Sequence, residues 1–352
     1  MNRKHLNLSR LAWRQLRRAW GLPPSLYLAW QSGFTGTMLS FAGEMQKAEV
    51  GRRGVRLPEQ AVFILGYWRS GTTLLHELMA RDPRFCAPST RACMNPHSFL
   101  LSRGDSGRTM RRPMDDMVIG ADTPQEDEFA LLSLGARSPY EALLVPQGLE
   151  RALALADPAR LTPAERQDWD RLFRQFVLAV CAEAPGRVPL LKSPPHACRI
   201  PMLLSVFPQA KFVLITRDPV HVFESTVRMW TALFERYSLT GAPKEGAVRE
   251  AILSTRPEFE EAMLAGLALL PPRRLVHIRF EELIADPADA LERIYAGLDL
   301  GDGLSRDVVR EEMARRGGYR AANVEPEAIW RKRIESEWTT VLADHVEGFN
   351  VL

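Results

Sequence analysis

The residues best suited to chemistry form a glycine-rich loop at positions 66–73. The loop matches the phosphate-binding pattern G-x-x-x-x-G-K-[ST] at Gly66, Gly71 and Thr73, but Thr72 occupies the position of the lysine. Backbone N–H groups at such a turn bind an anion, and the dipole of the following helix favours negative charge there. The loop therefore predicts a phosphate site without the lysine of nucleotide triphosphatases.

Basic or hydroxyl-bearing side chains follow three apolar runs that read as strands. Arg69 and Ser70 stand in the loop after the first run, Lys192 follows the second and Arg217 follows the third. Ser225 lies eight residues after Arg217, two turns into the next predicted helix. Because ligands of an open α/β sheet bind outside the carboxyl ends of its strands, these side chains are predicted to line one crevice.

Short apolar runs alternate with longer amphipathic patterns, which is typical of a parallel sheet with crossover helices. We expect an α/β fold with a P-loop-like parallel β-sheet flanked by helices on both faces. A helical N-terminal extension over residues 1–58 would precede an α/β domain over residues 59–352. The segment 103–125 shows neither the periodicity of a helix nor that of a strand, and it predicts a lid or an insertion. The predicted strands cover 61–65, 189–191, 211–216 and 274–279, and the predicted helices cover 72–80, 162–184, 201–206, 220–234, 288–298 and 334–346.

Composition excludes several classes of protein. The chain has 352 residues, 46% of them hydrophobic, and a formal net charge of +3, which does not predict nucleic-acid binding. Its four cysteines lack the spacing of a metal site, so we expect no zinc site and a reduced, cytoplasmic chain. No uninterrupted apolar run reaches the roughly 18 residues of a membrane span.

The N-terminus is basic and amphipathic. Residues 1–20 contain six Arg or Lys side chains and no acid, interleaved with Trp and Leu, and an apolar stretch broken by Pro and Gly follows over 22–42. Three interpretations stay open. The segment could lie on a membrane surface as a peripheral anchor, pack on the domain, or pair two subunits in a homodimer.

Two motifs resemble those of the sulfotransferases that use 3′-phosphoadenosine 5′-phosphosulfate (PAPS). The stretch G-Y-W-R-S-G-T-T-L-L resembles the 5′-phosphosulfate loop of that family, and F-V-L-I-T-R-D-P-V-H-V-F-E-S resembles its 3′-phosphate motif. The segments around L-L-K-S-P-P-H and I-R-F-E-E-L agree with the family as well. The resemblance extends from about residue 60 to about residue 300.

The resemblance implies a role for each motif residue. The 5′-phosphosulfate would lie over the loop, and Arg217 and Ser225 would bind the 3′-phosphate. Sulfuryl transfer is an in-line displacement in which charge develops on the leaving phosphate oxygen, so a positioned cation is needed rather than a metal. Lys192 resembles the family lysine with that task. The loop residues implied in cofactor binding are Gly66, Arg69, Ser70, Gly71, Thr72 and Thr73.

The general base is the least defined part of the predicted site. The family uses a histidine in K-[ST]-H, where this chain has Pro194, or a glutamate in E-T-R, where it has Ser89. His196, Glu126 and Glu128 are therefore the candidates, while His196 could also be a hydrogen-bonded loop histidine and the two glutamates part of a helix start.

Three further basic residues are weaker candidates for cofactor binding. Arg91 matches the arginine of E-T-R, and Arg331 and Lys332 lie where related enzymes return a basic loop to the cofactor. A solvated charge run before the helix predicted at 334–346 is the preferred interpretation of these last two.

The preferred function is PAPS-dependent transfer to a hydroxyl of a small molecule or of a lipid. A P-loop phosphotransferase or kinase is one alternative, but it would need lysine in place of Thr72. A non-catalytic nucleotide-binding protein is another alternative, and the residues found at the two family base positions keep it open.

Overall fold

A parallel five-stranded sheet forms the centre of the computed structural model, which describes residues 6–22, 31–102, 109–111, 118–271, 273–315 and 326–338. A separate antiparallel hairpin, β3–β4, lies within the segment that the sequence marks as a lid or insertion. The strands are β1 Val62–Leu65, β2 Phe85–Cys86, β3 Thr109–Arg111, β4 Val118–Gly120, β5 Val188–Lys192, β6 Lys211–Thr216 and β7 Leu275–Arg279.

The order of strands in the sheet is β2-β5-β1-β6-β7, and every neighbouring pair is parallel. β1 lies in the middle, with Phe63 opposite Leu191 of β5 on one side and opposite Phe212 of β6 on the other. The carboxyl ends of these three strands therefore meet at one edge. The loop after β1 is placed between Lys192 and Arg217.

Helices cover both faces of the sheet. On β1, Phe63 and Leu65 belong to the larger hydrophobic cluster, whereas Val62 and Ile64 belong to a second cluster on the other face. All four side chains are buried, as expected for a parallel sheet covered on both sides. The predicted α/β fold class is confirmed.

The helices, in chain order, connect the strands and extend the fold at both ends. A short π-helix covers Gln31–Thr35, and short 3₁₀-helices cover Pro139–Leu143, Pro146–Gly148, Ala154–Ala156, Pro158–Arg160 and Pro194–Cys198. The α-helices are α1 Arg10–Trp20, α2 Gly36–Arg53, α3 Thr72–Met79, α4 Thr90–Met94, α5 Glu128–Leu134, α6 Leu149–Leu153, α7 Pro163–Glu183, α8 Ile200–Val206, α9 Pro219–Tyr237, α10 Glu245–Leu267, α11 Phe280–Ala285, α12 Pro287–Gly297, α13 Arg306–Arg315 and α14 Ala328–Glu337.

The four predicted strands coincide with β1, β5, β6 and β7 to within one residue at each end. Thr162 caps α7 as predicted, because its hydroxyl accepts the N–H of Glu165 and the Glu165 carboxylate accepts the N–H of Thr162. β2 is too short to leave an apolar run, and Pro257 interrupts the helical pattern of α10, so neither was predicted.

The prediction for the C-terminal helix was wrong at its start. The helix begins at Ala328 rather than at Ile334, so the basic run at 331–333 lies inside it and not in a loop before it. Trp330 stacks on Phe223 of α9 with ring centroids 5.8 Å apart, and this contact fixes the first turn. The predicted end at residue 346 lies outside the described residues.

The first helix is joined to the domain at both of its ends. Ser9 caps α1, and its N–H and hydroxyl donate to the carbonyls of Ser133 (2.9 Å) and Leu134 (3.1 Å) at the end of α5. At the other end, Trp20 Nε1 donates to a carboxylate oxygen of Glu141 over 2.6 Å. The apolar face of α1 is part of the larger core, and the domain boundary at residue 58 stays a prediction.

Candidate active site

The loop after β1 has a backbone shape that requires glycine at two positions. Gly66 has φ +155° and Gly71 has φ +103°, and a Cβ on Gly71 would lie 2.3 Å from the Phe280 ring. Arg69 also has a positive φ, +68°, which is uncommon for a residue with a side chain. The Ser70 hydroxyl donates to the carbonyl of Tyr67 over 2.8 Å and closes the turn.

The loop ends at the N-terminus of α3, with Gly71 at the cap position. The first N–H groups of a helix have no partner within it, so those of the first turn are available to an anion. Thr72 is buried and Thr73 is half-buried. The Thr73 hydroxyl accepts a hydrogen bond from Lys192 Nζ over 3.3 Å, which joins the loop to the end of β5.

Lys192 also forms an ion pair with Glu126. Its Nζ lies 2.7 Å from Glu126 Oε1, and the lysine side chain is 1% exposed while the glutamate is 15% exposed. The second carboxylate oxygen of Glu126 accepts the hydroxyl of Tyr140, and Trp68 Nε1 in turn donates to Tyr140 over 3.2 Å. Burial and the neighbouring carboxylate raise the pKa of Tyr140 far above its ordinary value, so this hydroxyl stays protonated.

The next two acidic residues are bound in the interior. Asp127 accepts hydrogen bonds from His196 Nε2 at 2.8 Å and from the Ser193 hydroxyl at 2.9 Å. Burial alone would raise the pKa of Asp127, but His196 and Ser193 outweigh burial and hold it below its usual value. Glu128 pairs with Arg199 at 2.8 Å, and both side chains are fully buried.

His196 and Glu128 are therefore not brought to the crevice with Lys192. The imidazole of His196 is fully buried and packs against aromatic rings, with Phe63 5.6 Å and Phe173 5.7 Å away between centroids. Glu128 has no exposed surface from which to reach an acceptor. Of the three predicted bases, only Glu126 lies beside Lys192 with part of its side chain open to solvent.

The two predicted binding motifs meet on the other side of the loop. Arg69 Nε donates to the Ser225 hydroxyl over 2.9 Å, and an Nη of Arg217 donates to the carbonyl of Arg69 over 3.3 Å. The Arg217 guanidinium lies over the Phe280 ring, 4.4 Å from its centroid. Phe280 thus touches both the arginine and the glycine turn, which fixes the position of one relative to the other.

The three weaker candidates lie on α4 and α14. The Arg91 guanidinium bonds to the carboxylate of Glu183 and to the carbonyl of Phe99. Lys332 is exposed and Arg331 half-buried on α14, which packs on α9. The structure therefore gathers the loop, Lys192, Arg217, Ser225 and Glu126, and the role of Arg91, Arg331 and Lys332 in cofactor binding stays a prediction.

Histidine chemistry contributes little near the loop. His76, one turn into α3, is buried, and desolvation together with the charge of Lys192 lowers its pKa to about 3.

Within the described ranges, no group of three His, Cys, Asp or Glu side chains is placed to hold a metal ion. In the same ranges, no helix is long and apolar enough to cross a membrane.

Comparison with known families gives the identity of this arrangement. The sequence profile of the sulfotransferase family matches residues 61–302, the stretch that contains every strand of the main sheet. The chain belongs to the sulfotransferase family. The resemblance inferred from the two motifs is confirmed, and the protein is an enzyme of this class.

Curated relatives of this sulfotransferase cover most of its length. It is 33% identical over 319 residues to the omega-hydroxy-beta-dihydromenaquinone-9 sulfotransferase Stf3 of Mycobacterium bovis, with 88% of this chain and 81% of the relative covered. The Mycobacterium tuberculosis protein of that name matches equally well.

Solved structures show the same fold. Sulfotransferase STF9 from Mycobacterium avium superposes with a TM-score of 0.62 at 17% identity, covering 99% of this chain and 98% of that one. Sulfotransferase STF1 from Mycobacterium tuberculosis superposes with a TM-score of 0.53 at 17% identity, covering 92% and 97%. The parallel sheet and its helices are thus the architecture of bacterial sulfotransferases.

Two residues of the sulfotransferase site had no signal in the sequence. Tyr140 lies in a short helical turn far from any motif, and only the fold brings its hydroxyl to Glu126. Phe280 follows β7 inside the I-R-F-E-E-L segment, where an aromatic residue after a strand reads as ordinary core.

Proposed function

We propose that this sulfotransferase transfers the sulfuryl group of PAPS to a hydroxyl of a lipid, with Glu126 as general base and Lys192 as the cation at the leaving oxygen. The observation that carries the proposal is the Lys192–Glu126 pair beside the loop, with Lys192 also bonded to Thr73. The Glu126 carboxylate can take the proton of the acceptor hydroxyl, and the Lys192 ammonium at the end of β5 can stabilise negative charge on the leaving oxygen.

The loop and the second motif fit a donor with two separate anionic groups. The first turn of α3 offers N–H groups and two threonine hydroxyls to one anion. Arg217 and Ser225 lie on the far side of Arg69 and fit a second phosphate, for which a guanidinium provides a two-pronged donor. The turn needs glycine at position 71, since a Cβ there would meet Phe280.

Glu126 is preferred to His196 and Glu128 because of what each group already binds. Asp127 holds His196 in the interior, and Arg199 holds Glu128 there. Of these three candidate bases, Glu126 is the one that bonds to Lys192 and keeps solvent-exposed surface. A base must come within hydrogen-bond distance of the acceptor proton, and this geometry favours Glu126.

Each residue then has one task. Bound PAPS would supply the sulfuryl group. Glu126 accepts the proton of the acceptor hydroxyl as its oxygen attacks sulfur, and Tyr140 holds the carboxylate in place through the hydrogen bond to its other oxygen. Lys192 neutralises Glu126 before the reaction and, being within reach of the loop, stabilises the charge that develops on the leaving phosphate oxygen.

The acceptor class is proposed from the curated relatives. The name of the mycobacterial Stf3 specifies a menaquinone with an omega-hydroxyl, which is a lipid alcohol. With 33% identity over 88% of this chain, a related hydroxylated lipid is the acceptor we propose, in preference to a small polar molecule. Such an acceptor would be presented at a membrane surface.

The test measures transfer of ³⁵S from labelled PAPS to an omega-hydroxylated menaquinone in phosphatidylcholine vesicles. The same quinone without the hydroxyl is the acceptor control, and Lys192→Met is the enzyme control. We expect label in the hydroxylated lipid with the wild-type chain, and a loss of about 10²–10³-fold with Lys192→Met. Wild-type rates with Lys192→Met would reject the role of the lysine, and label only in other compounds would reject the lipid acceptor.

Donor binding is tested separately by calorimetry with 3′,5′-adenosine bisphosphate and adenosine 5′-phosphate. Arg217→Ala should weaken binding of the bisphosphate about 10–100-fold, because one charge-assisted contact is lost, while leaving the monophosphate unaffected. The matched control is Arg236→Ala near the other end of α9, which should bind both ligands normally. Equal losses for both ligands would contradict the assignment of Arg217 to the 3′-phosphate.

A further inference from the structure

A series of hydrogen bonds leaves the glycine-rich loop at one residue and returns to the end of the loop at another. Trp68 Nε1 donates to the Tyr140 hydroxyl over 3.2 Å, and that hydroxyl donates to one carboxylate oxygen of Glu126. Lys192 Nζ lies 2.7 Å from the other oxygen of Glu126 and 3.3 Å from the Thr73 hydroxyl, in the first turn of α3. The carboxylate is therefore tied to the loop through both of its oxygens.

Most of this series is buried, which makes its bonds stronger than they would be in water. Trp68, Tyr140 and Lys192 are buried, and Glu126 is only partly exposed. In such surroundings one hydrogen bond polarises the next. Burial and the Glu126 carboxylate raise the pKa of Tyr140, whereas the bond from Trp68 lowers it. Trp68 therefore makes the Tyr140 hydroxyl a better donor to Glu126.

The ion pair with Lys192 cannot by itself hold Glu126 in place during the reaction. Lys192 is the cation proposed for the leaving oxygen, and an ammonium group engaged there attracts Glu126 less strongly. The bond from Tyr140 goes to the other carboxylate oxygen, so it does not depend on where the lysine points. Tyr140 thus holds the carboxylate, and Trp68 ties Tyr140 to the loop.

Trp68 is itself fixed from several sides. Its carbonyl accepts the Thr226 hydroxyl over 3.3 Å. Its ring packs against Trp230, 6.1 Å away between centroids, and against Phe259, 5.6 Å away. Thr226 and Trp230 belong to α9, the helix that also carries Ser225 of the second binding motif. The indole therefore has a set position relative to both predicted anion sites.

We propose that Trp68 is a positioning residue of this sulfotransferase: its indole N–H fixes Tyr140, and through Tyr140 the Glu126 carboxylate, relative to the loop that binds the donor. The role rests on the proposed function, because it requires Glu126 to be the base. Packing alone would be served by any large ring in this position. The proposed role needs the N–H, and this difference makes it testable.

A second buried tryptophan provides the matched control. Trp230 packs on both Trp68 and Tyr140, with ring centroids 6.1 Å and 5.9 Å away. Its Nε1 is buried and has no hydrogen-bond partner among the residues that the structure describes. Trp230→Phe therefore removes the same ring atoms from the same cluster as Trp68→Phe, but no hydrogen bond.

The first experiment measures kcat and the KM for PAPS by ³⁵S transfer to the omega-hydroxylated menaquinone. Trp68→Phe should lower kcat about 3–10-fold, the effect of one hydrogen bond, and leave the KM within about twofold of wild type. Trp230→Phe should change neither quantity by more than about twofold. Tyr140→Phe already lacks the acceptor of this bond, so adding Trp68→Phe to it should cost less than about twofold more.

The second experiment does not depend on an acceptor. Labelling with ¹⁵N-tryptophan gives one indole N–H signal for each of the eight tryptophans, and Trp68→Phe identifies that of Trp68 by its loss. Tyr140→Phe and Glu126→Gln should both move this proton signal upfield, because the first removes the acceptor and the second removes the charge that polarises it. Glu183→Gln, at the carboxylate that bonds to Arg91, should leave the signal in place.

Three results would overturn the proposal. The first is a kcat that falls as far in Trp230→Phe as in Trp68→Phe, which would assign the tryptophan to packing. The second is a full effect of Trp68→Phe in the Tyr140→Phe protein, and the third is a Trp68 signal that Tyr140→Phe does not move. If Trp68→Phe does not fold, a tryptophan analogue with sulfur in place of the indole N–H replaces it, because both fused rings are kept. Failure of the proposed function would appear separately, as wild-type kcat in Glu126→Gln.

Discussion

Replacing Glu126 by Gln removes the proposed base and preserves the shape of its side chain. The amide oxygen can still accept from Lys192, and the amide NH₂ would then donate to the Tyr140 hydroxyl, so the local structure should persist. The matched variant is Glu128→Gln, two residues along the chain, where the lost charge is in a fully buried pair with Arg199. The two substitutions are chemically identical, and the structure predicts opposite consequences.

The expected magnitudes follow from the surroundings of each carboxylate. Loss of a general base costs about 10²–10⁴-fold in kcat, equivalent to roughly 2.7–5.5 kcal/mol in the barrier. Glu126 is partly exposed, so Glu126→Gln should cost only about 1–2 kcal/mol of unfolding free energy. Breaking the buried Glu128–Arg199 pair should cost about 3–5 kcal/mol and lower Tm by roughly 4–7 °C, given about 1.4 °C per kcal/mol at this chain length.

Three measurements separate the variants. Initial rates come from ³⁵S transfer to the omega-hydroxylated menaquinone, stability from thermal unfolding followed by circular dichroism, and donor binding from calorimetry with 3′,5′-adenosine bisphosphate. Glu126→Gln should bind the nucleotide within about threefold of wild type and lose turnover. Glu128→Gln should lose stability and retain much of its turnover at a temperature where it is folded.

Two results would refute this reasoning. If Glu126→Gln keeps more than about a third of the wild-type kcat, the carboxylate is not the base. If Glu128→Gln melts like wild type and loses turnover, the ion pair with Arg199 does not describe the working enzyme. Glu126→Asp, which shortens the side chain by one methylene, should fall between Gln and wild type.

Three further predictions concern the surroundings of the site. Tyr140→Phe removes the hydroxyl that donates to Glu126. It should lower kcat about tenfold and move the acidic limb of the pH–rate profile to higher pH, and an unchanged profile would contradict a positioning role. Gly71→Ala puts a Cβ 2.3 Å from Phe280 at φ +103°, so calorimetry should show loss of nucleotide binding, and normal binding would refute the strained turn. His76 has a folded pKa of about 3 against 6.5 unfolded, so the unfolded state takes up a proton first and stability falls as pH drops below 6.5. Urea unfolding should show that the free energy of unfolding falls by about 2 kcal/mol between pH 6.5 and 5 because of His76, and that His76→Gln lacks this fall. The same pH dependence of stability in both proteins would contradict the prediction.

The sequence predicted those site residues whose positions follow from strand register. Lys192 and Arg217 end strands that flank β1, and parallel pairing alone brings them to the loop. Ser225 follows from helical spacing within the same motif. These relations are local or set by one sheet, so one sequence is enough to infer them.

The choice of base depended on packing between distant segments. Glu126, Asp127 and Glu128 look alike in the sequence, because nothing local shows which side chain each one meets. Their partners Lys192, His196 and Arg199 come from 66 to 71 positions further on. Tyr140 adds a contact through a short turn without any periodic signal, which only the folded chain reveals.

Each of the three consecutive acids pairs with a different residue of the segment Lys192–Arg199. This pairing limits which insertions and deletions the enzyme can accept near Glu126. Asp127 and Glu128 are fixed by interior partners, so Glu126 cannot shift along the chain without unfolding both pairs. A one-residue deletion inside 126–128 would place a different side chain at the reacting edge. Glu126 therefore keeps its place beside Lys192 as long as the two interior pairs persist.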